Sequence, residues 1–449
     1  MEAMKHWHTT RPELFHKKPY ARAGCDNQDL QKEMAMGNFE NKLKPEDVSV
    51  HDWYRFVLSF PPHLVRQYID SFGIGSHDIV LDPFCGTGTT NVECKKLGVR
   101  SWGIEASPIT HFASKTKSTW VADVSTLVVE AECIVEKAKR QLDLANDFRG
   151  LTDEQNKLVL KNSISPEPLH QVLVLRDVII NERSVYNDYF IIALAKHIVY
   201  SYSNLKFGPE VGISRTKKDH VDVLGIWLSE IKRVERDLLE NGQFANISTD
   251  IALGDARLVN CPKYLKSIDC VITSPPYPNE KDYSRTTRLE SVILGFMRNR
   301  EDLRSIKNGF IRSNSKNVYR NDSDERYVQD IHSINSLSEE IEKRRIDLGK
   351  TSGFEKLYAS VVKLYFGGMA KHLLTIKPFL KDGACLAYVV GDQASYFQIP
   401  IRTSELLGEV AESIGDYKVD RIDTFRKRFA TATESWLNED VLVLKYKEK

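Results

Sequence analysis

Ile79-Val80-Leu81-Asp82-Pro83-Phe84-Cys85-Gly86-Thr87-Gly88-Thr89-Thr90 decides how the chain is read. Ile79, Val80 and Leu81 form an apolar run without alternation, the pattern of a strand buried on both faces of a parallel sheet. Asp82 ends that strand. Gly86 and Gly88 follow, where a tight turn takes positive φ and bare backbone approaches a ligand. Thr89 and Thr90 open a helix through Val92, Cys94 and Leu97 that stops near Gly98. Strand, glycine turn and helix is the nucleotide-approach geometry of doubly wound α/β folds. Taken alone, Gly-x-Gly fits an ordinary βα turn equally well.

Two features downstream weigh against the ordinary turn. Ser101–Ile104 is a second apolar strand and ends in Glu105, 23 residues after Asp82, where an acid holds a ribose diol in such folds. Ile268–Ile272 is another strand, and it runs into the polar loop Thr273-Ser274-Pro275-Pro276-Tyr277. Between them, Ile251–Gly254 is a short strand ending in Asp255 and Ala256. Asp255 either accepts from an adenine amino group or caps the helix that follows, and its surroundings favour the ligand role. Ligands of doubly wound sheets sit at the C-terminal ends of strands, so Asp82, Glu105, Asp255 and Ser274 are expected on one rim.

The 449 residues suit two or three domains, or one large domain with insertions. A 41% hydrophobic and 28% charged composition is that of a soluble globular protein. The formal net charge of +1 does not announce a nucleic-acid binder, so any basic surface must be local. Seven scattered cysteines form no C-x-x-C pair and no zinc spacing with histidine, which suits a reducing cytoplasm and gives no expectation of metal. The N-terminus lacks the apolar stretch of a signal peptide, and the longest apolar runs are far too short to span a bilayer.

Residues 1–50 read as a polar arm. His51–Phe60 is aromatic-rich, and Pro61 and Pro62 open a helix with a Leu64, Val65, Tyr68, Ile69 stripe that can wall a pocket or simply pack the core. Residues 121–246 carry helical periodicities at Leu127–Leu142, Ile191–Tyr202 and Leu224–Leu238, the mark of a helical insertion. Within it Phe207–Asp219, with Arg215 and Lys217, is a basic loop that touches phosphates or is a solvated turn. Residues 278–353 interrupt the sheet again. Arg285 follows the Tyr277 loop, and Arg298, Arg300, Arg304, Lys307, Arg312, Lys316 and Arg320 stand against only Glu301 and Asp302 up to residue 320. Their place directly after the polar loop favours contact with nucleic acid over a solvated face. Phe354–Lys377 reads as an amphipathic helix and Ala384–Val390 as a buried strand. Tyr417–Phe425 and Asp440–Tyr446 read as a final antiparallel pair, joined by a polar connection that holds Arg426 and Arg428.

Together these motifs resemble the S-adenosylmethionine-dependent DNA amino-methyltransferases, over roughly residues 50–120, 247–290 and 354–449. The resemblance implies a Rossmann-like sheet of about seven strands with the last antiparallel. It implies S-adenosylmethionine bound by Phe60, Pro61, Asp82–Thr90, Glu105, Ala106, Ser107, Asp255 and Ala256. It makes Ser274, Pro275, Pro276 and Tyr277 the catalytic loop. The Ser form of that loop is typical of cytosine-N4 enzymes and the Asp form of adenine-N6 enzymes. Many cytosine-N4 enzymes place the catalytic loop before the cofactor loop, whereas here the cofactor loop comes first, which leaves adenine N6 of DNA and guanine N2 of RNA as alternatives. A non-catalytic nucleic-acid-binding scaffold is a more distant one. The expected organisation is an arm (1–50), a catalytic domain (51–120, 247–290 and 354–449), a helical insertion (121–246) and a basic insertion (291–353) that is the candidate target reader. Double-stranded DNA is the expected partner, with a cognate restriction endonuclease as a further expectation.

Overall fold

The computed structural model describes residues 43–449 apart from 56–58, 209, 279–280, 431–434 and 449. Most of the sequence read as an N-terminal arm lies outside the described residues. Strand β1 (Ile79–Asp82) is central, as its unbroken apolar run requires, and pairs in parallel on both sides, with β2 (Arg100–Glu105) and β6 (Ile268–Thr273). The short strands β3 (Leu205–Phe207) and β4 (Val211–Ile213) form a separate antiparallel pair, while β5 (Thr249–Leu253), β7 (Leu380–Gly391), β8 (Tyr417–Ala430) and β9 (Ser435–Tyr446) complete the main sheet. Its order is β5-β2-β1-β6-β7-β9-β8. Only β9 runs against its neighbours. The chain reverses direction across the sheet between β1 and β6, so the C-terminal ends of β1, β2 and β6 share one rim at the switch point, where doubly wound folds bind ligands.

Alternate residues of these strands supply two cores. Helix α1 (Pro62–Ser71) starts with proline in its first turn, where a missing N–H costs nothing, and buries Leu64, Val65, Tyr68 and Ile69 against Val80, Cys270, Ile272 and Val389. On the other face, Leu81, Ile104, Val271 and Tyr388 meet Val361, Tyr365, Phe366 and Met369 of the helix at Tyr358–Ile376. That helix was expected to be amphipathic; it is buried nearly all round, because Ile311, Val328, Ile334 and Ile341 cover its outer side. Each such side chain taken from water stabilises by roughly 1.5–3 kcal/mol.

A third core grows from Val92, Ile109 and Ala113 into the helices at Leu127–Asp143, Pro166–Glu182, Asn187–His197 and Val223–Asn241. Two local expectations are corrected here. The basic stretch read as a loop at 207–219 begins inside a β3–β4 hairpin, in which Leu205–Phe207 pairs antiparallel with Val211–Ile213. Arg426 and Arg428, read as part of a connection, lie within β8: Arg426 pairs opposite Glu439, and that charge complement carries the ladder past the apolar run.

Candidate active site

Asp82, fully buried at the end of β1, ties the two motif loops together. Its Oδ1 accepts from the Phe84 amide at 3.1 Å and from the Thr273 hydroxyl at 2.6 Å. Thr90 reaches the same neighbouring strand by donating its hydroxyl to the Ile272 carbonyl at 3.1 Å. Burial pushes the Asp82 carboxyl up to about 6. The glycine turn then takes the conformation its residues permit, with φ of +53° at Gly86 and +83° at Gly88.

The loops open on one cavity of about 470 Å³, a normal size for a small-molecule site. Of the expected cofactor residues, Phe60, Pro83, Phe84, Cys85, Gly86, Thr87, Thr89, Glu105, Ala106, Ser107 and Ala256 line it, and so do Ser274, Pro275, Pro276 and Tyr277. Glu105, at the end of β2, lies on the side of the glycine turn away from β6. Its carboxylate accepts from the Gly86 amide at 2.9 Å and the Ser107 amide at 2.8 Å, and burial pushes it up to about 7. The Ser274 hydroxyl donates to the Val389 carbonyl of β7 at 3.2 Å, which leaves its oxygen lone pairs as acceptors. The Tyr277 ring lies against the backbone of Gly391, where a Cβ would come within 2.9 Å of it.

Several expected residues stand elsewhere. Asp82, Thr90, Gly88 and Pro61 do not line the cavity. Asp82 and Thr90 are drawn beneath it by the hydrogen bonds just described. Asp255 was expected to face adenine; instead Arg257 takes its carboxylate through Nε at 3.0 Å and Nη2 at 2.7 Å, and the neighbouring Gly254 and Ala256 line the cavity.

The expected DNA-facing cations divide as well. Lys307 is buried on Asp282 at 2.7 Å, and Arg312 is buried on Asp322 through Nε and Nη2, each at 2.8 Å. These two expectations are corrected, since an unpaired charge at such depth is too costly to stay free for a distant phosphate. Arg298 is exposed and bonded to Asp302, Arg300 is exposed, and Arg304 is exposed and stacked over Tyr319. Arg215 and Lys217 are exposed. Arg285 pairs with Glu210 at 3.0 Å, and Arg426 pairs with Glu439 on the cavity wall. The side chain of Arg428 lies outside the described residues.

Other lining residues carried no sequence signal. Gly309, Phe310 and Ile311 reach the cavity from the second insertion, and Glu439 reaches it from β9. Gly309 packs on Ala106, so Phe310 sits near the Glu105 end. No local period could reveal a wall that is supplied from so far along the chain.

The DNA methylase family model matches residues 14–114. A Type II methyltransferase of Geobacillus stearothermophilus, M.BsoBI, is 25% identical over 433 residues, which are 86% of this chain and 82% of that protein. M.AvaI of Anabaena variabilis, also a Type II methyltransferase, is 25% identical over 430 residues, 85% of this chain and 81% of its own. M.MjaII, a Type II methyltransferase of Methanocaldococcus jannaschii, is 38% identical over a stretch of 69 residues, 15% of this chain and 13% of that protein. No helix among the described residues is long and apolar enough to cross a membrane.

Proposed function

We propose that this chain, a member of the S-adenosylmethionine-dependent DNA amino-methyltransferase family, methylates N4 of a flipped cytosine within a specific sequence of duplex DNA. The observation that carries this reading is that Gly86 and Ser274 open on the same cavity, so that a methyl donor and a base amine can meet. The residues fit the cofactor: bare backbone at Gly86, an acid at Glu105 for ribose hydroxyls and aromatic walls at Phe84 and Phe310 surround one space. Bound there, S-adenosylmethionine supplies an electrophilic methyl group on a sulfonium.

The protein's own part is to make a poor nucleophile act. The lone pair of an exocyclic amine is conjugated into the base. With the Ser274 proton committed to Val389, Ser274 Oγ accepts one amine N–H, and the Pro275 carbonyl accepts the other. Fixed acceptors of this kind localise the lone pair on nitrogen, and the two prolines stiffen the loop that presents them. Tyr277 and Phe425 offer aromatic surface to the base. Extruding a base costs a few kcal/mol, and stacking of about 1–3 kcal/mol offsets it. Asp82 acts as a positioning residue that sets the spacing of the two loops.

Target reading we assign to the exposed cations of the 291–353 insertion together with the 121–246 insertion. The Type II names of the relatives support a paired restriction endonuclease. The test is to incubate the protein with labelled cofactor and mixed-sequence duplex DNA, digest to nucleosides and identify the methylated one by mass. N4-methylcytosine is expected; N6-methyladenine would move the target base, and label found only in RNA would overturn the DNA substrate. Ser274→Ala should lose about 10²–10³ in methyl transfer with cofactor affinity kept, by titration calorimetry. Full activity in that variant would remove Ser274 from the mechanism.

A further inference from the structure

We propose that a basic cleft directly behind the catalytic loop holds the DNA backbone phosphate next to the flipped nucleotide. This inference rests on the function proposed above. The segment 281–288 has two faces. Lys281, Tyr283 and Thr287 line the catalytic cavity, whereas Asp282, Arg285 and Arg288 line a second cavity of about 290 Å³. A single helical turn, Tyr283–Thr286, is the partition between them. A helix with its side chains is about 10–12 Å across, so a base on one side and its flanking phosphate on the other lie within reach of one strand.

The charge balance of the cleft asks for an anion. Among the described residues, Arg285, Arg288 and Lys316, with Lys307 already held by Asp282, line it against one carboxylate, Asp282. Asp282 is already shared, at 2.7 Å from Lys307 and 3.8 Å from Arg288. Glu210, which pairs with Arg285 at 3.0 Å, stands outside the lining and is mostly exposed. The Arg288 side chain is 17% exposed, and its guanidinium donates from Nε and Nη2 to the carbonyl and hydroxyl of Ser284. Among the described residues its Nη1 has no hydrogen-bond partner. Burial lowers the affinity of Arg288 for its proton, and Arg285 adds to that effect, as expected of cations crowded without sufficient counter-charge. A phosphodiester oxygen supplies the missing charge, and Leu289 and Leu303 give its sugar an apolar floor. The cation run that follows the catalytic loop thereby acquires a defined role: part of it is internal structure, and part grips the backbone at the point of extrusion.

The test uses the full chain with Arg285→Gln and Lys316→Gln combined, since both side chains reach solvent, and thermal melting to confirm the fold. Wild type and variant are titrated with a duplex holding the target site over a range of salt. The expected result is a log–log salt slope shallower by about one to two in the variant, at unchanged cofactor affinity. A methylphosphonate placed at the phosphate adjoining the target should weaken wild-type binding at least fivefold and the variant no further. An equal penalty in both proteins, or an unaltered slope, overturns the proposal. Protection of wild type by inorganic phosphate without a change in the DNA slope would mark a free-anion site and overturn it too. If the wild-type protein transfers no methyl group to DNA, the proposed function itself fails; transfer with an unaltered slope removes only the cleft.

Discussion

At Glu105 the fold has placed a carboxyl where burial holds its proton to about 7, far above the 4.5 of a free glutamate. Ribose hydroxyls donate best to the ionised form, so cofactor binding must expel a proton at acid pH. Affinity should therefore be flat above about pH 7 and fall about tenfold per unit below it. Calorimetry between pH 5.5 and 8 in buffers of different ionisation heat reads both the affinity and the released proton; Glu105→Gln should flatten the profile and weaken binding. A wild-type affinity independent of pH would contradict the assignment. The sign for folding runs the other way. Native Glu105 and Asp82 keep protons that the unfolded chain has lost, so their contribution to stability is complete below about pH 4 and is lost as pH rises through 6 and 7.

At the scale of elements, the long buried helix Tyr358–Ile376 and the 291–353 insertion meet with no room to spare. A Cβ at Gly367 would lie 2.0 Å from the Asp324 carbonyl oxygen, a backbone atom that cannot swing aside. Asp324 is in turn bonded to Arg257 at 2.7 Å and stands 3.5 Å from Lys371, so the insertion is locked to the sheet next to Asp255. Gly367→Ala should cost at least 1–3 kcal/mol through forced separation of these elements, even though alanine is the better helix former. Chemical denaturation measures it, and an unchanged midpoint would show that the contact yields freely. Because Phe310 and Ile311 follow the same insertion into the cavity, the variant should also bind cofactor less tightly.

Over the whole molecule, the segment before the cofactor motif straps the parts together. The Val50 amide and the Trp53 indole both donate to Asp237 Oδ2, at 3.0 and 2.8 Å, and Tyr54 donates to Glu290 at 2.6 Å. His51 meets Glu93 at 2.6 Å, while Asp52 takes Lys196 at 2.9 Å and Arg233 at 2.7 Å. One stretch of chain thus holds the helical core, the helix after the glycine turn and the residues beyond the catalytic loop. Asp237→Ala leaves two buried donors without an acceptor, at about 1–3 kcal/mol each. Hydrogen exchange should quicken across residues 127–241 while β1 and β6 stay protected. Uniform quickening would mean that the helical core and the sheet open as one unit.

Legibility in the sequence followed the range of the forces involved. An unbroken apolar run, glycines ahead of a helix and prolines after a strand are local constraints on φ, ψ and burial, so the central strand, the two loops and their shared rim could be read from neighbours in the chain. Charge runs could not be sorted in that way. Lys307 and Arg312 differ from Arg300 and Lys316 only in whether an aspartate from elsewhere arrives beside them. The same holds for Asp255, claimed by Arg257, and for Phe310, carried to the cavity by its insertion. Backbone geometry is dictated residue by residue, whereas the partner of a side chain is chosen by which segments the packed core brings within a few ångströms.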